Sequence, residues 1–182
     1  MVNASLRLGG SLLLDNHIRR GRDFSAALVG DLRVSESGTV SSSDELKTLD
    51  ELAGGRAVMR ALGLDPESPE LSSKEVAQQL VEVVARAGRG EAGINTHFLH
   101  AGQILGRMID VIWRLLRPET IILAGPLAGV EAYSVGVRKS CLESDSSLPL
   151  RISSMSSQEA ARLLALNEFI ATRNLPLEAL AG

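Results

Sequence analysis

The chain has 182 residues, 45% of them hydrophobic and 23% charged, with a formal net charge of −3. That is an ordinary globular composition, about one domain in size and long enough to bury a sizeable core without staples. The acidic balance, with no concentrated run of Lys and Arg, excludes a phosphate-tracking face and with it direct nucleic-acid binding by this chain. The one cysteine, Cys141, excludes an internal disulfide framework or a cysteine-rich metal cage, in keeping with a reducing, cytoplasmic setting. Met1 to Gly10 lacks the basic-then-apolar pattern of a signal peptide, and the apolar runs are too short and too interrupted by charge to span a membrane.

Residues 2–8 alternate through Val2, Ala4, Leu6 and Leu8, the period of a half-buried strand. Gly9-Gly10 reads as a turn and Ser11 to Asp15 as a second apolar strand, together a β-hairpin. Asn16-His17 turns the chain into a short edge segment ending at Gly21, and a further strand is expected over Leu28 to Val34. Val34 to Asp44 is Ser-rich and reads as an exposed loop. Helical spacing resumes with Leu46, Leu49, Leu52, Ala53, Val58 and Leu62, before Pro66 and Pro69 mark a second loop. Ser72 and Glu75 have the spacing of a capping box, each able to satisfy an orphan backbone donor. The helix they open carries Val76, Leu80, Val83 and Val84 on one face.

After Gly88-Arg89-Gly90 the longest helix runs to about Arg117, where Pro118 stops it. Its apolar positions, from Ile104 and Leu105 to Leu115 and Leu116, cover more than one stripe and predict burial on most sides. Thr120 to Leu123 is a short, β-branched apolar run, as expected for an interior strand. A helix to about Glu143, a strand around Leu150 to Ser154 and a last helix from about Gln158 to Arg173 complete the chain. The order predicts an α/β fold: one domain over 1–182, a mixed sheet packed by helices.

Most chemistry-bearing residues have a plain structural reading. His97 and His100 lie three apart on one helix without a third ligand in view. Gly102 and Gly106 have the spacing that lets another helix backbone come close. Ser41-Ser42-Ser43 has no paired base and reads as loop. Cys141 reads as a small buried hydrophobe, and Arg19, Arg20 and Arg22 as a solvated edge. Asp31 and Asp50 stay open between a carboxylate pair and two solvated acids.

Four blocks, in order, carry a resemblance. Leu8-Gly9-Gly10-Ser11-Leu12-Leu13-Leu14-Asp15, closing at Arg20-Gly21, looks like a glycine-rich hairpin. Gly30-Asp31-Leu32-Arg33-Val34 resembles a Gly-His-Leu block, and Thr48-Leu49-Asp50-Glu51-Leu52-Ala53-Gly54-Gly55 resembles Cys-Leu-Glu-x-x-Ala-Ser-Gly. Arg117-Pro118-Glu119-Thr120-Ile121-Ile122-Leu123-Ala124-Gly125 resembles Asn-Pro-Glu-x-Ile-x-x-Gly-Gly. Together they are similar to the ROK family of bacterial sugar kinases and sugar-responsive transcriptional repressors. The resemblance implies the C-terminal lobe of a ribonuclease H-like, actin-like ATPase fold, without its N-terminal lobe.

The departures shape what the resemblance implies. The family's zinc positions, a His and three Cys, hold Asp31, Ser41, Ser43 and Thr48, which are poor zinc ligands, so zinc and other cofactors are expected to be absent. Of the family's sugar-contacting positions, Leu28 cannot accept a hydrogen bond, whereas Asp31 and Asp50, beside Gly30, can. Gly9, Gly10 and Gly125 match the nucleotide-facing glycines. The Asp-x-Gly-x-Thr phosphate hairpin and the catalytic Asp of the family have no counterpart here, so no catalytic residue is assigned. The implied function is a sugar-sensing, self-associating domain of a ROK-type regulator, binding a small carbohydrate as a homo-oligomer. The alternatives are the C-terminal lobe of a sugar kinase and a self-association module without a ligand.

Overall fold

The computed structural model of the chain describes residues 1–15, 17–19, 21, 28–35, 46–91, 93–144, 147–153, 155, 159, 160, 162 and 163. In chain order the elements are β1 (Val2–Ala4), β2 (Leu8–Gly10), β3 (Leu12–Leu14), β4 (His17–Arg19), a 3-10 turn over Val29–Asp31, β5 (Arg33–Val34) and β6 (Lys47–Thr48). Helices α1 (Leu49–Ala53), α2 (Gly55–Ala61), α3 (Ser73–Gly88) and α4 (Ile94–Leu116) follow, then β7 (Ile121–Ala124), α5 (Glu131–Ser144) and β8 (Leu150–Ile152). The main sheet has the order β2-β1-β7-β8, antiparallel between β2 and β1 and parallel from β1 through β7 to β8. It is a mixed α/β sheet, as expected. No helix among the described residues is long and apolar enough to cross a membrane.

The first reversal is not where the glycines suggest. Val2 pairs with Gly10 and Ala4 with Leu8, so the chain turns at Ser5 to Arg7 and both Gly9 and Gly10 lie inside β2. In this register residues of equal parity share a face, and Val2, Ala4 and Leu8 are all buried on it. A three-residue turn preserves parity, so the alternation runs on through it and hides the reversal. β3 and β4 then form a separate two-stranded hairpin, with Leu13 opposite Ile18. Leu28 to Val34 is likewise not one strand. A 3-10 turn presses Gly30 against the Leu8 carbonyl, and only Arg33–Val34 stays extended, paired with β6.

Two helices begin on reciprocal side-chain caps. Ser72 and Glu75 form the expected box at α3, and Thr48 and Glu51 form another at α1. Arg117 ends α4 in the left-handed region at φ 45, with its guanidinium 4.1 Å from the centre of the Trp113 ring. Ile94, Phe98, Ala101, Leu105, Ile109 and Trp113 make the buried stripe of α4. Burial on most sides does not hold along its whole length. Helices α1, α2, α3 and α5 all touch α4, but its last turns carry Val111, Leu115 and Leu116 into solvent. The Ser-rich loop, with Ser41 and Ser43, and most of the last expected helix lie outside the described residues.

The tightest packing is between α4 and α5. A Cβ on Gly106 would stand 2.5 Å from the Val137 carbonyl oxygen. One on Gly102 would collide with the Tyr133 carbonyl, and one on Gly136 with that of Leu99. The Cys141 thiol, 2% exposed, donates to the Gly106 carbonyl at 3.5 Å, and burial pushes its pKa up to about 11. Gly106→Ala is expected to destabilise the fold by roughly 1–3 kcal/mol, the usual cost of overpacking. Gly88→Ala, at a helical glycine with open space around it, is expected to stabilise by about 0.5–1 kcal/mol. Urea unfolding of the two variants beside the parent checks both.

Candidate functional site

The turn after β1 is docked on the junction of α1 and α2. The Ser5 carbonyl accepts from the Gly55 N–H at 2.8 Å, and the Leu6 carbonyl from the Arg56 N–H at 3.3 Å. That docking carries Arg7 over the first turn of α1. Arg7 Nε donates to Asp50 Oδ2 at 2.8 Å, and a terminal nitrogen reaches Asp31 Oδ1 at 3.4 Å. The other oxygen of Asp50 accepts from the Leu8 N–H. The hydrogen bond to Asp50, then the charges of Asp50 and Asp31, hold the Arg7 guanidinium above its ordinary pKa.

Gly30 closes this cluster from below. A Cβ there would stand 2.7 Å from the Leu8 carbonyl oxygen and 2.8 Å from Asp50 Oδ1, so only glycine lets the 3-10 turn seat Asp31 beside Asp50. The side chain of Asp50 is only 14% exposed, that of Asp31 52% and that of Arg7 71%. Asp50 is thus an anchor, and Asp31 and Arg7 are the groups a solute meets. Tyr133 supports the arrangement from α5, its hydroxyl donating to the Ala53 carbonyl at the end of α1 at 2.9 Å. Burial, and to a lesser degree the Asp50 charge, pushes that hydroxyl far above its ordinary pKa, so it stays protonated as a donor.

Beside Arg7 and Asp50 opens a depression of about 230 Å³. On its wall Glu51 Oε2 accepts from the Thr48 N–H at 2.7 Å and from the Thr48 hydroxyl at 2.9 Å. Arg60 crosses it, donating to Glu67 Oε1 at 2.7 Å and to the Glu51 carbonyl at 3.1 Å. Arg56 stands 3.8 Å from the same Glu67 oxygen, and its Nε is buried without a hydrogen-bond partner.

Asp31, Asp50 and Gly30 are therefore brought together as the sequence suggests, with Arg7 as the unforeseen bridge. Arg7, Arg56 and Arg60 were missed because nothing local marks them: Arg7 lies 43 residues from Asp50. Gly9, Gly10 and Gly125 do not form one loop. Gly9 and Gly10 pair with Asn3 and Val2 inside the sheet, whereas Gly125, at φ 99, follows β7 and abuts the Ala4 carbonyl. Leu28 is exposed. At the zinc positions, Asp31 is ion-paired with Arg7 and Thr48 is spent on the α1 cap, so neither fits a zinc ion. Among the described residues no group of three or more His, Cys, Asp or Glu side chains is placed to hold a metal.

No family model and no curated protein matches the sequence. Solved structures do. A ROK hexokinase from Thermus thermophilus superposes with a TM-score of 0.64 at 18% identity, covering 95% of this chain and 57% of that one. A ROK family glucokinase from Streptomyces griseus, in complex with glucose and AMPPNP, gives 0.62 at 21% identity, over 87% of this chain and 56% of that one. A ROK family transcriptional regulator, homologous to the Escherichia coli MLC protein, gives 0.62 at 19%, over 83% and 40%. The fold is that of the ROK proteins, an actin-like α/β lobe. The chain spans 57%, 56% and 40% of the three matched structures.

Two acids hold helix starts, and both have lowered pKa values. Hydrogen bonds from the Thr48 backbone and side chain lower that of Glu51, and those from the Ser72 side chain and backbone lower that of Glu75. A lowered folded-state value means stability that is present above the ordinary 4.5 and lost as pH falls through the lowered values. Urea midpoints measured from pH 7 down to pH 3 are expected to fall in that acid range, and less steeply for the Glu51→Gln, Glu75→Gln double variant.

Proposed function

We propose that this chain belongs to the ROK family and is the sugar-sensing, self-associating part of a ROK-type transcriptional regulator, not catalytic by itself. The observation that carries this reading is the convergence of Asp31, Gly30 and Asp50 around Arg7, which together with Asp50 lines one small depression. At about 230 Å³ it lies below the range of drug-sized pockets and suits a monosaccharide. Carboxylate acceptors beside guanidinium donors match vicinal hydroxyls, which both donate and accept. A glucokinase of similar fold is in complex with glucose and AMPPNP, which supports a sugar as the ligand class.

Catalysis is not part of this reading, because Asp50 has both oxygens engaged and Asp31 faces Arg7, so neither is a free base for a sugar hydroxyl. Zinc is not part of it either. Self-association is, supported by the exposed Leu13, Leu14 and Ile18 of the β3–β4 hairpin; a monomer at high concentration by light scattering would remove it. A second reading, the C-terminal lobe of a sugar kinase, is favoured by the likeness to a hexokinase and a glucokinase. Sugar-dependent ATP consumption by the protein would decide for it.

Ligand binding to the native state stabilises it by about 2.7 kcal/mol at a hundredfold excess over Kd. Some member of a broad sugar panel is therefore expected to raise the melting temperature by several degrees. Asp31→Asn is expected to shrink that rise while leaving the melting temperature without sugar nearly unchanged, since Asp31 is half-exposed. A flat response across the whole panel overturns the carbohydrate reading.

A further inference from the structure

Helix α1 is five residues long, too short to hold a position by its own hydrogen bonds. Its place is set by what grips its two ends. At the start, the Leu49 N–H donates to the Leu32 carbonyl at 2.8 Å, and the Asp50 carboxylate accepts from Arg7 and the Leu8 N–H. At the end, the Ala53 carbonyl is one of those a helix leaves without an internal partner. The Tyr133 hydroxyl fills that role from α5, at 2.9 Å. Between the two ends the Gly54 N–H donates to the Asp50 carbonyl at 3.1 Å, so Asp50 and Ala53 shift together.

Tyr133 and Ala53 are both fully buried. Parting them strands a donor and an acceptor away from water, which costs more than the bond contributes. Burial also keeps the hydroxyl protonated, so the donor is always present. The same residue stands in the first turn of α5 with its own carbonyl against Gly102 of α4. The side chain that seats α1 and the backbone that begins the α4–α5 seam therefore belong to one residue. A shift at either is felt at the other until the hydrogen bond breaks, and a bond that is either made or broken is a two-state element that both sites bias.

We infer that Tyr133 is the positioning residue that links the Asp50 site to the α4–α5 seam: what fixes Asp50 tightens α5 on α4, and what parts the two helices unseats Asp50. By thermodynamic linkage the effect runs equally in both directions. No described residue of α4 or α5 lines the depression beside Asp50, so a solute held there by Arg7 and Asp50 acts on the seam without touching it. The linkage goes beyond the carbohydrate reading and does not depend on what the solute is.

The test is amide hydrogen exchange of the intact chain, read by mass spectrometry in α5 and, as the reference for overall stability, in α3, which packs on α2 and α4. Asp50→Asn keeps the shape of the side chain and removes the charge that holds Arg7. It is expected to speed exchange in α5 about fivefold or more beyond any change in α3, as a stranded buried hydrogen bond would. Tyr133→Phe keeps the ring and removes the hydroxyl. In that background Asp50→Asn is expected to speed α5 no more than α3, because the link is already cut. A tyrosine with only a structural role gives effects that multiply. Should Asp50→Asn not fold, Arg7→Gln, at a side chain 71% exposed, releases Asp50 from outside and takes its place. Equal factors in α5 and α3 overturn the inference and leave a change of global stability alone. A preference for α5 that persists in Tyr133→Phe also overturns it, and moves the link to the direct packing of α1 on α4.

Discussion

The backbones of α4 and α5 lie directly against each other at Gly102, Gly106 and Gly136, where a Cβ would meet a carbonyl of the facing helix. That approach sets the position of Tyr133 in the first turn of α5, and through it the position of α1. The Tyr133 hydroxyl is the buried donor for the Ala53 carbonyl, at the last residue of α1. Moving α5 outward by the width of a methyl group would strand both partners of a buried hydrogen bond, which costs more than the bond itself contributes. Because Asp50 sits in the first turn of α1, the geometry of the site is inherited from a helix contact elsewhere in the fold.

The site then divides its labour between fixed and reachable groups. Asp50 is nearly enclosed and fully hydrogen-bonded, so it orients Arg7 and the turn after β1 more than it meets solute. Asp31 and Arg7 face outward and differ in sign, which keeps their pairing soft: an exposed ion pair is worth little and is readily exchanged for a ligand. Arg56 and Arg60 come from α2, whose first turn is docked on the same β1–β2 turn. One short turn thus ties the carboxylate side of the site to its cationic side.

What could be read from the chain was local. Ser72 and Glu75 announce the start of α3 because both halves of the cap lie within four residues, and Pro118 announces the end of α4. Gly102 and Gly106 announce a close helix contact by their spacing, although not which helix makes it. The β1–β2 reversal was hidden because its three-residue turn keeps Val2, Ala4 and Leu8 in phase. The pairing of Asp31 with Asp50 was suggested only by family resemblance, since no periodicity joins residues in different elements. Arg7 carried no signal beyond being a charge between two leucines, and its role exists only once β1, β2 and α1 are folded together. Thr48 was read as a lost zinc ligand, whereas its local spacing to Glu51 already spelled a capping box like that of Ser72 and Glu75.

The placement of Cys141 has a consequence of a different kind. Its sulfur is sealed between α5 and α4 and its proton is held tightly, so in the closed fold almost no thiolate is presented to an electrophile. Alkylation of the one thiol in this sequence must therefore wait for the two helices to part. The chain carries a built-in clock for its own opening: the labelling rate at Cys141 reports how often the α4–α5 seam breathes, with no foreign probe added.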